Sequence, residues 1–186
     1  DDYRTAKYST PFCHIFGGLS SEAKYCLACS HSRQVLQGFY RLGLKIPDEE
    51  HPSVESALRL QSGVEHIGAT ARCDECGVLG RRAQSSSVLR WPVVLTLAIN
   101  RSTLDGQKIT RAISFKLTLS VSDGSIYDLR GVVVHQGDTV RSGHYRAFVC
   151  ARDKTWFHCN DARKPRVVTE AEVLSAEAYI LCYEKR

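Results

Sequence analysis

Long apolar runs are missing from this sequence of 186 residues. Nothing in it approaches the ~20 consecutive apolar residues a bilayer-spanning helix needs. The charged, tyrosine-bearing start DDYRTAKYST also lacks the apolar core of a secretory signal. No membrane partner is expected. Concentrated charge is missing too: the formal excess of +5 is dispersed, the pattern of a solvated surface, which argues against nucleic acid as a partner. Internal repeats, low-complexity segments and linkers are absent, which excludes a solenoid or a string of modules. What remains is one domain with its own core, or a core carrying a small outgrowth. A hydrophobic content of 43% and a charged content of 24% fit that description.

Cysteine, by contrast, is plentiful: there are eight. A chain of this size with a well-supplied core needs no disulfide framework, so a reducing cytoplasmic or nuclear setting is expected. Four of the thiols form two pairs, Cys26-x-x-Cys29 and Cys73-x-x-Cys76. Two intervening residues let both sulfurs of a pair face one ion, and two pairs complete a tetrahedron. The spacing points to one zinc ion; buried free thiols or two local disulfides are the alternatives. Four thiolates leave no open coordination position, so the zinc would be structural. The long stretch between the pairs fits a metal pinning the tip of a β projection, with Gly77 free to take a left-handed turn after the second pair. Cys13, Cys150, Cys159 and Cys182 are read as small buried or half-buried thiols.

The periodicity is mostly that of strands. Tyr40, Leu42, Leu44 and Ile46 alternate with polar or small residues, and Ile113, Phe115, Leu117 and Leu119 alternate again. Val93 to Ile99 is a near-continuous apolar run, as in a central strand covered on both faces. Asp123-Gly124 signals a hairpin before Ile126 to Leu129. Two short helices are expected, one capped by Ser53 and one opened by the capping box Thr169-Glu170-Ala171-Glu172. His14 to Gly18 is a short apolar piece ended by two glycines, and Arg81 to Ser87 looks like an exposed strand or loop. Ala178 to Tyr183 reads as an apolar terminal strand. The chain is a strand-rich α+β protein with a small metal-bound outgrowth.

Chemistry concentrates between Gly131 and Asp161. Val132 to Val134 lead into His135-Gln136-Gly137, a loop closes at Ser142-Gly143, and His144-Tyr145 open a strand. Trp156-Phe157 then lead through Cys159 to Asn160-Asp161. Adjacent antiparallel strands could set the His144 imidazole beside a polar side chain, the base-and-orienter pair of a cysteine or serine protease. Taken singly, the pieces have plainer readings: a satisfied half-buried histidine, and an Asn-Asp turn. Their joint order and spacing resemble the histidine box of ubiquitin-specific proteases. His14 to Gly18, Val64 to Cys76, Trp91 to Arg101 and Ala178 to Tyr183 are similar to other motifs of that family, so the likeness covers nearly everything from His14 onward.

The resemblance implies a papain-like cysteine protease fold. A zinc-bound β "fingers" projection would run over about residues 14–100, and a "palm" sheet carrying the histidine box over about 101–186. It implies a deubiquitinase that cleaves after the C-terminal Gly of ubiquitin, with ubiquitin and ubiquitinated proteins as partners. His144 would be the general base and Asn160 its orienter; Asp161 would support the oxyanion region or take the orienting role itself. Gly137 to Gly143, with Ser142 and then Tyr145, would flank the ubiquitin tail. For Tyr145 and His135, packing and a loop-anchoring hydrogen bond are equally good readings. On a regular strand Asn160 and Asp161 would point to opposite faces, so one of them needs a turn or a water to reach the ring.

The family's cysteine box, Gly-Asn-x-Cys followed by an aromatic residue, has no counterpart in the sequence. The nucleophile is therefore expected upstream, in a thumb segment that precedes this chain. A catalytically inactive ubiquitin-binding or scaffold module is the alternative. A zinc-ribbon interaction module with no ubiquitin role would leave the Ser142 to Tyr145 and Asn160-Asp161 spacing unexplained. Smaller departures are Trp91 before Pro92, Asn100 before Arg101, and Cys159 before Asn160, where a smaller filler could loosen Asn160.

Overall fold

The computed structural model describes residues 10–68, 70–103, 105–139 and 142–186. In chain order the elements are α1 (Pro11–Phe16), β1 (Gly18–Cys26), β2 (Ser32–Phe39), β3 (Leu42–Lys45), α2 (Val54–Gln61), β4 (Val64–Ile67), β5 (Arg82–Arg90) and β6 (Val94–Asn100). They continue with β7 (Thr118–Ser120), β8 (Ile126–Gln136), β9 (His144–Cys150), β10 (Trp156–Cys159), β11 (Arg166–Val168), α3 (Glu170–Leu174) and β12 (Ala178–Lys185). The strand-rich α+β reading holds. No helix among the described residues is long and apolar enough to cross a membrane.

The chain divides into two compact units. The first takes the described residues up to Tyr40 together with Arg59–Pro92; the second takes Arg41–Leu58 and Val93–Arg186. Residues 41–58 and β6 belong with the C-terminal half because β6 pairs with both β3 and β12.

The first unit is a four-stranded antiparallel sheet in the order β2-β1-β5-β4. Strand β5, which sequence left between an exposed strand and a loop, is an interior strand with Ala83 fully buried. Its serines show no apolar alternation, so periodicity could not place it. Helix α1 lies where only an apolar piece was expected. Its signal is present: Thr10 caps the end by accepting from the Cys13 amide at 3.3 Å, and Pro11 occupies the first turn.

The second unit is an eight-stranded sheet in the order β11-β10-β9-β8-β12-β6-β3, with β7 paired to β8. Every pairing is antiparallel except β3 with β6. Parallel neighbours need a long crossover, and residues 46–93 supply one. Leu44, Leu95, Leu97, Leu119, Tyr127, Val132, Leu181 and Tyr183 are fully buried here, with Val54 of α2 and Val173 of α3. Both expected helix caps form: Ser53 Oγ accepts from the Ser56 amide, and Thr169 and Glu172 close a reciprocal capping box. Ile113 and Phe115 are buried as their alternation implied, but ladder pairing starts only at Thr118. Asp123-Gly124 makes the expected turn into β8, Gly124 at φ +84° and Asp123 Oδ1 accepting from the Ser125 amide at 2.8 Å.

Candidate active site and metal centre

His144 opens β9, and Asn160 and Asp161 follow directly on β10. These two strands pair antiparallel, Ala147 opposite Cys159, so the start of one and the end of the other meet at the same rim of the sheet. There the Nε2 of His144 lies 2.5 Å from Oδ1 of Asn160 and 3.7 Å from Oδ2 of Asp161. Of the two routes expected for the second side chain, a turn or a water, the structure shows the turn. Pairing ends at Cys159, and Asp161 sits in a turn at φ +47°, a left-handed conformation that aspartate tolerates. The turn swings the Asp161 carboxylate back towards the same ring nitrogen that Asn160 holds.

The tautomer follows from taking the Asn160 amide oxygen as the atom that faces the ring. An amide oxygen accepts, so Nε2 carries the proton, and the lone pair is left on Nδ1. Among the described residues Nδ1 has no hydrogen-bond partner. The His144 side chain is 44% exposed and that of Asp161 74%, so the ring is open to a reacting group. Cys150, Cys159 and Cys182 are half-buried thiols, as expected, and none is hydrogen-bonded to His144. Burial pushes the Cys182 thiol above its ordinary range, although a hydrogen bond to Thr96 opposes the shift. Cys13 is half-buried in α1 of the other unit, its sulfur 3.2 Å from Thr10 Oγ1 and 3.0 Å from Tyr40 Oη.

The loop before His144 is narrow at its neck. A Cβ on Gly137 would stand 2.5 Å from the Ser142 carbonyl, and one on Gly143 would stand 2.3 Å from Nε2 of His135. Neither position admits a side chain. Ser142 donates its amide to Thr139 Oγ1 at 3.1 Å; residues 140 and 141 of this loop lie outside the described residues. His135 is buried and packs against the exposed Tyr145 with ring centroids 4.6 Å apart, and against Tyr179 at 5.7 Å. Both histidines of the box are thus placed, one as packing and one at the rim.

In the first unit the four paired cysteines converge. Their sulfurs all lie within 4.8 Å of one another, with Cys26 to Cys76 at 3.7 Å and Cys29 to Cys73 at 3.8 Å. A tetrahedron of Zn–S bonds has an edge of about 3.8 Å. The two turns that carry them are built alike. The Ser30 amide donates to the Cys26 carbonyl and the Gly77 amide to the Cys73 carbonyl, each donor in a left-handed conformation at φ +59° and +71°. Gly77 was expected there; Ser30 was not, because serine does not advertise a positive φ. The Ala28 and Cys29 amides draw the Cys26 thiol down to about 6. For Cys29 the His31 amide pulls down, but burial and three neighbouring sulfurs outweigh it and push the thiol up to about 12. Ionising one thiol thus raises the cost of the next, a cost that a divalent cation would remove. These four residues could hold a metal ion.

Known proteins resemble this chain along nearly all of its length. The model of the ubiquitin carboxyl-terminal hydrolase family matches residues 2–183. Ubiquitin carboxyl-terminal hydrolase 44 of Danio rerio is 30% identical over 92% of this chain and 30% of its own length. Ubiquitin carboxyl-terminal hydrolase 25 of Arabidopsis thaliana is 31% identical over 92% of this chain and 27% of its own length. Among solved structures, the SAGA Ubp8/Sgf11/Sus1/Sgf73 DUB module bound to ubiquitin aldehyde contains a chain similar to this one, with a TM-score of 0.82 and 26% identity. The match covers 97% of this chain and 43% of that one. The chain thus spans less than a third of the two relatives it matches.

Proposed function

The chain belongs to the ubiquitin carboxyl-terminal hydrolase family, and from that premise we propose that it supplies the general base and part of the ubiquitin grip of a cysteine-type deubiquitinase. The observation that carries the reading is the hydrogen bond of Asn160 to Nε2 of His144 at 2.5 Å, which leaves Nδ1 as an exposed base. A cysteine in a segment preceding this chain would supply the thiol. Nδ1 takes the thiol proton, and the thiolate attacks the carbonyl carbon of the C-terminal Gly of ubiquitin. The imidazolium returns that proton to the departing amine as the C–N bond breaks, leaving a thioester. His144 then deprotonates a water that hydrolyses the thioester and frees the ubiquitin carboxylate.

In this reading Asn160 sets the plane and tautomer of the ring. An amide cannot stabilise an imidazolium as a carboxylate does, and Asp161, at 3.7 Å, adds that charge from an exposed, solvent-screened position. Gly137, Ser142, Gly143 and Tyr145 would flank the ubiquitin tail, and the glycines let backbone approach closely. Zinc is the metal proposed for Cys26, Cys29, Cys73 and Cys76. Bound by four thiolates it has no open position and contributes folding energy, not chemistry. A reducing cytoplasmic or nuclear compartment is proposed on the same ground, since free thiols persist there.

The test uses the full-length protein and a ubiquitin substrate with a C-terminal amide. His144→Ala should lower kcat/KM by roughly 10²–10⁴-fold. Asn160→Ala and Asp161→Ala should each leave measurable turnover, with the Asn160 variant the weaker. If Asn160→Ala is neutral and Asp161→Ala is as damaging as His144→Ala, the orienting role belongs to Asp161. A wild-type protein that binds ubiquitin without hydrolysing the substrate would replace this reading with that of an inactive binding module.

A further inference from the structure

We propose that Lys108 is a positioning residue for His144, acting through the neck of the loop that ends at that histidine. The Nζ of Lys108 donates to the carbonyls of His135, at 3.0 Å, and Gly137, at 2.6 Å. Both carbonyls belong to the limb that leaves β8. That limb cannot move alone. A Cβ on Gly137 would stand 2.5 Å from the Ser142 carbonyl and 2.8 Å from Cα of Gly143, and one on Gly143 would stand 2.5 Å from the Gln136 carbonyl. The outgoing and returning limbs therefore meet through backbone, and the buried His135 ring also lies against Gly143, its Nε2 2.3 Å from where a Cβ would stand. Packing this tight transmits displacement. The next residue on the returning limb is His144, whose hold on Asn160 depends on where β9 begins.

Lys108 is itself fixed from the sheet. Arg101, at the end of β6 and only 3% exposed, donates from Nε to the Ala178 carbonyl at 2.9 Å. Its Nη1 donates to the carbonyls of Ile109, at 3.1 Å, and Arg111, at 2.7 Å. These bonds hold the backbone just after Lys108. A bridge between Ser102 and Lys108 and another between Gln107 and Thr139 complete the attachment. The path thus runs from an interior strand, through a buried guanidinium, to an ammonium that grips the loop neck. An ammonium suits the task because it offers three donors and no acceptor, and bonds from a charged donor are roughly twice as strong as neutral ones.

The proposal rests on the reading of His144 as base, and the experiment separates the two. In the full-length protein, Lys108→Met keeps the apolar stem and removes the donors, whereas Lys108→Arg keeps donors and charge. Amide hydrogen exchange over residues 135–145, with β6 and β12 as the internal fold reference, reads the neck directly. Steady-state kinetics on a ubiquitin C-terminal amide reads the base. Lys108→Met should speed exchange at the neck by about tenfold to a hundredfold, the loss expected for hydrogen bonds from a charged donor, with β6 and β12 unchanged. It should lower kcat about tenfold while KM stays within about twofold, because a misaligned base costs only the transition state. Lys108→Arg should restore most of both. Unchanged exchange at the neck, lost protection in β6 and β12, an effect confined to KM, or a kcat loss that Lys108→Arg does not relieve would each overturn the proposal. If the wild type shows no turnover, the reading of His144 fails, and the exchange comparison still decides whether Lys108 holds the neck.

Discussion

The two units of this chain solve the problem of staying folded by different means. Among the described residues, the largest fully buried side chains lie in the second unit, with the exception of Cys73. The second unit covers one face of a broad sheet with leucine, valine and tyrosine, and burial of that kind contributes roughly 1.5–3 kcal/mol per side chain. The first unit has a sheet rich in serine and glutamine, and all of β2 is exposed or half-buried. Its buried residues include Cys26 and Cys73, at 3% and 1% exposure. The cluster of four sulfurs supplies two of these buried residues, while Cys29 and Cys76 are exposed. The first sheet thus keeps few buried side chains, and its polar surface requires little apolar cover. Such a surface suits a large, polar partner. The second unit had to keep its apolar interior intact and place its reactive groups at the rim, where a strand ends and a turn begins.

The largest test of that contrast removes one sulfur. If the cluster holds the proposed zinc, Cys73→Ser or treatment with a chelator should strip hydrogen-exchange protection from β1 and β5 while β6 and β12 keep theirs, since structural zinc contributes roughly 10–16 kcal/mol of apparent folding energy in small sites. Retained protection in β1 and β5 would mean that the sheet stands without its cluster, and the contrast would collapse. The reciprocal change comes next. Leu181→Ala, in the strand at the middle of the larger sheet, should cost about 2–5 kcal/mol in denaturant unfolding of the second unit and leave exchange in β1 and β5 unaltered. The smallest effect sharpens the picture at the edge of the second unit. Thr169→Ala removes the α3 cap and should cost about 1 kcal/mol. The cap should also weaken in acid. The Thr169 amide, and after it the Arg166 guanidinium, hold the Glu172 carboxyl below the usual carboxylate range. A carboxyl lowered on folding stabilises above its ordinary value and loses that contribution as pH falls through the lowered one. Thermal melts of wild type and Glu172→Gln, which lacks the shifted carboxyl, should therefore converge as pH drops.

Much of this was legible in the residues. The apolar run at Val94–Asn100, the turn at Asp123-Gly124, the capping box and the terminal strand were readable because each depends on a local pattern. The two cysteine pairs and the His144 to Asn160 pairing were legible as spacing, which a pair of knuckles and a pair of antiparallel strands turn into proximity. Three things were not legible. Strand β5 owes its interior place to neighbours on both sides, and serines carry no period. The parallel pairing of β3 with β6 joins segments about fifty residues apart, which no local window contains. Asp161 reaches His144 only because the chain turns left-handed just past the strand. Lys108 escaped for a related reason, because its partners are backbone carbonyls, and a carbonyl leaves no mark on the sequence.

The order of strands in the larger sheet has a consequence for synthesis. Strand β12, residues 178–185, lies between β8 and β6. Until a ribosome has translated and released that stretch, the growing polypeptide holds two part-sheets with open edges: one bears His144 and Asn160, the other bears β3 and β6. Neither can close on the other, and exposed edges of this kind invite the attention of chaperones. A polypeptide that stopped between residues 161 and 178 would therefore carry His144, Asn160 and Asp161 without the strand that joins the two part-sheets. The joining strand between the two part-sheets is thus made after both of them.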